Sequence, residues 1–143
     1  MKSLLVSGFI FSLTMQACNG SKRGLVDVHA AHQADDLQVL TSSCQLSWVY
    51  NYGAEPASPS TYGNLSFIPM AHDQQQAQNF LSTVQQGQTY NYTLAFNEPD
   101  QGSSVGGTSL AVSDAVTLWH SQIEPLAQKG YKLGSPAGIP IFL

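Results

Sequence analysis

The sequence predicts an α/β fold built on a parallel sheet, and two observations predict it. Short apolar runs rich in aromatic and β-branched residues alternate with helical stretches from residue 24 onward. One of these runs, Tyr92 to Phe96, ends abruptly in Asn97-Glu98-Pro99-Asp100. Alternation of this kind implies parallel strands joined by right-handed crossovers. The second feature puts an amide and a carboxylate at the carboxyl end of a buried strand, where α/β barrels gather their catalytic groups. Pro99 lacks an N–H for a ladder bond, so it turns the chain out of the sheet, and it biases Glu98 toward an extended backbone. A polar turn closing a strand uses the same residue types, and the motif by itself leaves both readings open.

The elements follow in order. Gly24 to Val28 forms a first strand, and Ala34 to Thr41 a short helix with Leu37 and Leu40 on one face. A second strand, Leu46 to Tyr52, stops at Gly53 and a Pro/Ser loop running to Ser60. Leu65 to Met70 is the third strand. Gln74 to Gln86 is a helix, because Ala77, Phe80, Leu81 and Val84 recur at helical spacing. Tyr92 to Phe96 is the fourth strand. Gly102 to Gly107 reads as a flexible Gly/Ser loop, without the Lys that a phosphate cradle needs. A long helix spans about Val112 to Gln128, with Val112, Val116, Trp119, Ile123 and Leu126 on one face and Pro125 bending its last turn. The fifth strand begins at Lys132.

Composition narrows the function. The 143 residues are 43% hydrophobic and 10% charged, which gives one core and too little charge for a disordered tail. A net charge of −4 with five Lys plus Arg excludes the clustered positive footprint of a nucleic-acid binder. Tyr, Trp and Phe make up 10%, and such rings either stack on sugar faces or pack a core.

Residues 1–20 read as a secretory signal peptide, with residues 21–143 as the domain that follows. Met1-Lys2 supplies the positive start, Leu4 to Met15 the apolar stretch, and Ala17-Cys18-Asn19-Gly20 the small residues for cleavage. A lipoprotein signal at Cys18 is the competing reading, and Gln16 fits it poorly. The chain is therefore expected to be secreted, to the extracellular space or the cell wall. No stretch is long enough to span a bilayer. Asn19, Asn64 and Asn91 begin N-glycosylation sequons. Cleavage after Gly20 leaves Cys44 as a small buried hydrophobe, while a Cys18–Cys44 disulfide is the alternative. His29, His32, His72 and His120 lack metal-ligand spacing, and neither a metal nor another cofactor is expected.

Several segments then fall into a familiar order: Lys22-Arg23-Gly24-Leu25, Ser47-Trp48-Val49-Tyr50-Asn51-Tyr52-Gly53, Phe67-Ile68-Pro69-Met70, Phe96-Asn97-Glu98-Pro99-Asp100, Leu118-Trp119 with Ile123-Glu124-Pro125-Leu126-Ala127, and Lys132-Leu133-Gly134-Ser135-Pro136-Ala137. Together they resemble the fungal alkali-sensitive-linkage-type glycosyl hydrolases, glycoside hydrolase family 128. That resemblance implies a (β/α)8 barrel β-1,3-glucanase with its acid/base on strand four. A barrel of this kind takes about 250 residues, so the expectation is a partial (β/α)8 TIM barrel holding about the first five strands of eight.

The resemblance also assigns roles. Retaining glycosidases use one carboxylic acid to protonate the leaving oxygen and a second carboxylate, about 5–5.5 Å away, to attack the anomeric carbon. Glu98 matches the acid/base, and Asn97 the neighbour that hydrogen-bonds the sugar beside the reacting carbon. Trp48, Tyr50, Asn51 and Tyr52 match the substrate-binding strand two and its loop; strand alternation lets only one of Tyr50 and Asn51 point inward. Trp119 is expected to be packing. Relatives often carry an aromatic where this sequence has Ala71-His72-Asp73; His72 is expected to be a solvated loop residue, with a side chain reaching the cleft as the alternative. The family's nucleophile lies on strand seven, beyond Leu143, so the chain alone is expected to be inactive. The partner implied is a β-glucan polysaccharide or oligosaccharide. A non-catalytic glucan-binding wall protein is the alternative.

Overall fold

The computed structural model describes residues 22–28, 46–57, 62–63, 65–86 and 91–138. The expected signal peptide, the helix over Ala34–Thr41, both cysteines, His29, His32 and the sequons at Asn19 and Asn64 lie outside the described residues. Among the described residues five strands run parallel in sequential order, three in one sheet and two in another. β1 (Gly24–Val26) pairs with β2 (Trp48–Tyr50), which sets Gly24 against Trp48 and Val26 against Tyr50. β2 pairs with β3 (Ser66–Phe67), with Val49 opposite Phe67. β4 (Tyr92–Thr93) pairs with β5 (Lys132–Leu133). A single parallel bridge, Met70 to Leu94, joins the two groups, and a second one, Asn97 to Ala137, extends the β4–β5 pair. β1 to β4 are shorter than the runs expected for them, and beyond β3 and β4 the pairing continues only as these isolated bridges.

Helices fill the β3–β4 and β4–β5 connections. α1 (Gln74–Ala77) starts at Asp73, whose carboxylate accepts the Gln76 N–H at 2.8 Å. The run to Gln86 is broken at Gln78-Asn79, so α2 is Phe80–Gln86. Ala77, Phe80 and Val84 from this segment are buried with Ala71, Ala95, Phe96, Leu110, Ile123 and Leu126 in the main core, and Leu81 packs against it. The predicted helical face is thus the buried one.

The long C-terminal helix departs from expectation. α3 covers only Val112–Leu118, followed by a wider π turn over Trp119–Ile123 and a 3-10 stretch over Glu124–Lys129. Pro125 lies at the start of that last stretch. It cannot donate to the carbonyl one turn earlier, and the backbone changes pitch just ahead of it. Val112 and Val116 are 80% and 49% exposed, so the apolar stripe reaches the core only at Ile123 and Leu126, with Trp119 packed beside them.

Candidate active site

Strand alternation sorts the β1–β3 sheet into two faces. Leu25, Val49 and Phe67 point to one side, where Tyr62 stacks on Phe67 with centroids 6.1 Å apart. On that side Asp27 is 2% exposed, and its Oδ2 accepts the Tyr62 hydroxyl at 2.6 Å. Burial first, and then the bond to Asp27, pushes the Tyr62 hydroxyl above its ordinary range.

Trp48 and Tyr50 occupy the other face. Gly24 lets the Trp48 ring lie directly over the β1 backbone, in space that a Cβ would fill. Trp48 and Tyr50 are stacked at 6.3 Å, Tyr50 meets Tyr52 edge-on at 5.3 Å, and Tyr52 meets the His72 ring at 5.4 Å. Burial, and then the hydrogen bond and charge of Tyr52, raise the Tyr50 hydroxyl. Tyr52 takes the left-handed backbone, φ 57°, which carries its ring past the strand end and into line with the others. Of Tyr50 and Asn51, it is Tyr50 that joins this row. Asn51 turns aside, donating from Nδ2 to the Glu55 carbonyl at 3.0 Å.

His72 is where sequence reasoning fell short. Its side chain is only 22% exposed, with Nδ1 3.6 Å from Asp73 Oδ2 and its ring closing the aromatic row. It is not a solvated loop residue. The usable signal was Asp73-x-x-Gln76, the pattern of a helix start, which fixes the preceding residue against the strand-three end.

The row leads to the β4 terminus. The Asn97 N–H donates to the His72 carbonyl at 3.2 Å, and the Glu98 N–H to the Ala137 carbonyl at 2.8 Å. Glu98 is half-buried with φ 43°, so the extended backbone expected before Pro99 does not form. The neighbouring bonds overrule the local preference. Besides the bond from its own N–H, the Glu98 carbonyl accepts from Gln101 N at 3.0 Å and Thr108 N at 3.2 Å. Left-handed backbone at a residue other than glycine costs on the order of 1–3 kcal/mol and gathers at functional sites. The residues expected to bind sugar and to donate the proton include two of the three such positions among the described residues.

The remaining carboxylates are engaged or placed elsewhere. Among the described residues Asp27 is buried against Tyr62, Asp73 caps α1, Glu124 meets His120 Nδ1, Asp100 shares the turn with Glu98, Asp114 lies in the first turn of α3, and Glu55 is exposed in the segment after β2. Among the described residues no group of three or more His, Cys, Asp or Glu forms a metal site, and no helix is long and apolar enough to cross a membrane.

Residues 24–139 match the family model for the glycosyl hydrolase catalytic core. The chain belongs to that family. The glycosyl hydrolase catalytic core here is of the family 128 type and partial in extent. Similar solved structures include an oligosaccharide-binding protein of family 128 subgroup VII from Trichoderma gamsii, at 30% identity and TM-score 0.63, with 84% of this chain and 45% of that one covered. A curdlan-specific exo-β-1,3-glucanase from Blastomyces gilchristii in complex with glucose shares 23% identity at TM-score 0.65, covering 82% and 48%. An endo-β-1,3-glucanase from Amycolatopsis mediterranei in complex with laminaritriose shares 24% identity at TM-score 0.63, covering 85% and 46%. This chain spans less than half the length of each of the three. No curated protein matches it.

Proposed function

We propose that this catalytic core recognises β-1,3-glucan and holds the proton-donating half of a retaining, endo-type hydrolase site. In this reading the five strands are the first five of a (β/α)8 barrel, and their carboxyl ends form one wall of the cleft. The observation that carries it is the aromatic row Trp48–Tyr50–Tyr52–His72, which continues through the His72 carbonyl to Asn97 and Glu98. Rings in sequence offer apolar faces to successive sugar faces, and Glu98 stands at the end of the row. The Glu98 carboxylic acid gives its proton to the leaving glycosidic oxygen as the bond to the anomeric carbon breaks. Asn97 hydrogen-bonds the hydroxyl beside that carbon.

Turnover also needs a carboxylate on the opposite side of the sugar. By the family resemblance that residue lies on strand seven, and the described carboxylates are placed otherwise: Asp100 lies on the same turn as Glu98, the buried and capping ones are committed, Asp114 is on α3 and Glu55 is exposed in the segment after β2. In this reading the chain alone binds without cleaving. The test is reducing-sugar release from β-1,3-glucan by the 143-residue chain, by a version extended to full barrel length, and by the extended Glu98→Gln variant. The extended protein is expected to cleave, and the other two to fall at least a hundredfold below it, the span a general acid supplies. Equal rates for the short and extended chains, or full activity in Glu98→Gln, overturn the assignment.

A non-catalytic reading has its own support. The Trichoderma gamsii structure at 30% identity is an oligosaccharide-binding protein, as is one from Cryptococcus neoformans at 28%. In that case the extended version also fails to cleave while retaining affinity for the oligosaccharide.

A further inference from the structure

The Gly/Ser segment after Glu98 is not the flexible loop its composition implies. It folds through a short 3-10 turn over Ser103–Val105 and returns to the β4 terminus. Gly106 takes φ 94°, and a Cβ at Gly107 would overlap Gln101, so both glycines are required by the path of the chain. The returning segment bonds back at successive points: Ser109 N–H to the Gln101 carbonyl at 2.8 Å and Leu110 N–H to the Pro99 carbonyl at 2.9 Å. Thr108 makes the most direct contacts. Its hydroxyl donates to the Asn97 carbonyl at 3.2 Å and its N–H to the Glu98 carbonyl at 3.2 Å. The Asn97 side-chain amide also reaches the Gly106 carbonyl, at 3.5 Å.

We propose that Thr108 is a positioning residue: with the Gly106-Gly107 turn it clamps the Asn97–Glu98 peptide and fixes the direction in which both side chains face the sugar. The inference rests on the reading of Asn97 and Glu98 as sugar-facing groups. The physical case is that Glu98 is held in a left-handed backbone which Pro99 does not favour. Such a conformation persists only where its surroundings over-determine it. The two Thr108 bonds flank that residue, one on the carbonyl before it and one on its own carbonyl. A hydroxyl is needed for the first, and Val has the same shape without it.

Hydrogen exchange read by mass spectrometry on the 143-residue chain tests the clamp without requiring catalysis. Thr108→Val is expected to speed exchange at least tenfold in the segment 97–101 and to leave the β2–β3 segment, where Ile68 N–H meets the Val49 carbonyl, unchanged. Thr108→Ser keeps the hydroxyl and should match the parent. Gly107→Ala, which forces the turn against Gln101, should reproduce the Thr108→Val pattern. Laminaritriose affinity, measured on the same proteins, should fall about tenfold in Thr108→Val and recover in Thr108→Ser. Uniformly faster exchange across the chain in Thr108→Val, no change at 97–101, or a Ser variant no better than Val overturns the proposal. If the parent binds no laminaritriose, the glucan reading fails, while the exchange data still decide whether Thr108 holds the peptide.

Discussion

Removing the Tyr62 hydroxyl probes a buried polar contact centred on Asp27, whose value follows from its surroundings. Tyr62→Phe leaves the ring stacked on Phe67 and deletes the 2.6 Å bond to Asp27 Oδ2, together with the contacts the hydroxyl receives from the Ala57 N–H and the Asn51 side chain. Asp27 is 2% exposed, and its other oxygen has no hydrogen-bond partner. A hydrogen bond to a charged group contributes about 1.5–3 kcal/mol, and stranding a buried acceptor falls at the upper end of that range. We therefore expect Tyr62→Phe to cost about 2–3 kcal/mol at neutral pH. The double variant Asp27→Leu/Tyr62→Phe should recover at least half of that, because both polar groups are then gone. Pulse proteolysis in urea at low protein concentration reads the midpoints. The hydroxyl is raised above its ordinary value, so the bond's contribution is complete below about pH 10 and is lost as pH rises through the folded value. The parent midpoint should then fall above about pH 10 more steeply than that of Tyr62→Phe. A Tyr62→Phe midpoint equal to the parent's at neutral pH refutes the reasoning.

Three further outcomes follow from other parts of the chain. Gly24→Ala should displace the Trp48 ring, which occupies the space of the new methyl, and weaken laminaritriose binding at least fivefold with little change in secondary structure by circular dichroism. Val112 and Val116 line an apolar cavity of about 430 Å3 together with Phe96, Leu110, Trp119 and Pro136. This surface, with the edges a partial barrel would leave open, should make residues 21–143 associate on concentration; Val112→Lys/Val116→Lys should reduce that association in sedimentation velocity, and a monodisperse parent would count against it. Material from a eukaryotic secretory host should begin between Cys18 and Ser21 on N-terminal sequencing, and an intact Met1 on soluble intracellular protein would refute the signal-peptide reading.

Much of this arrangement was legible because it follows from periodicity and from strand ends. Alternation along Trp48-Val49-Tyr50 assigns Trp48 and Tyr50 to one face and Val49 to the other, and the structure keeps that division. The spacing of Ala77, Phe80 and Val84 likewise identified the face that packs on the sheet. What escaped depends on contacts between distant segments. The left-handed backbone of Glu98 is imposed by bonds from Ala137, Gln101 and Thr108, against the local effect of Pro99. The Gly102–Gly107 segment looked flexible because its order comes from hydrogen bonds back to residues 97–101. His72 looked solvated because its enclosing partner, Tyr52, lies on another strand's loop. Val112 and Val116 fit a helical stripe, but periodicity does not say where along its length that stripe meets the core.

The most direct test of the central claim is calorimetric titration of the 143-residue chain with laminaritriose, alongside Trp48→Ala and Tyr52→Ala, and with a β-1,4-linked trisaccharide of glucose as the control. The parent is expected to bind the β-1,3-linked sugar, either substitution to weaken binding at least tenfold, or about 1.4 kcal/mol, and the β-1,4-linked sugar to bind more weakly. Absence of binding by the folded parent, or equal affinity in both aromatic variants, would contradict that claim.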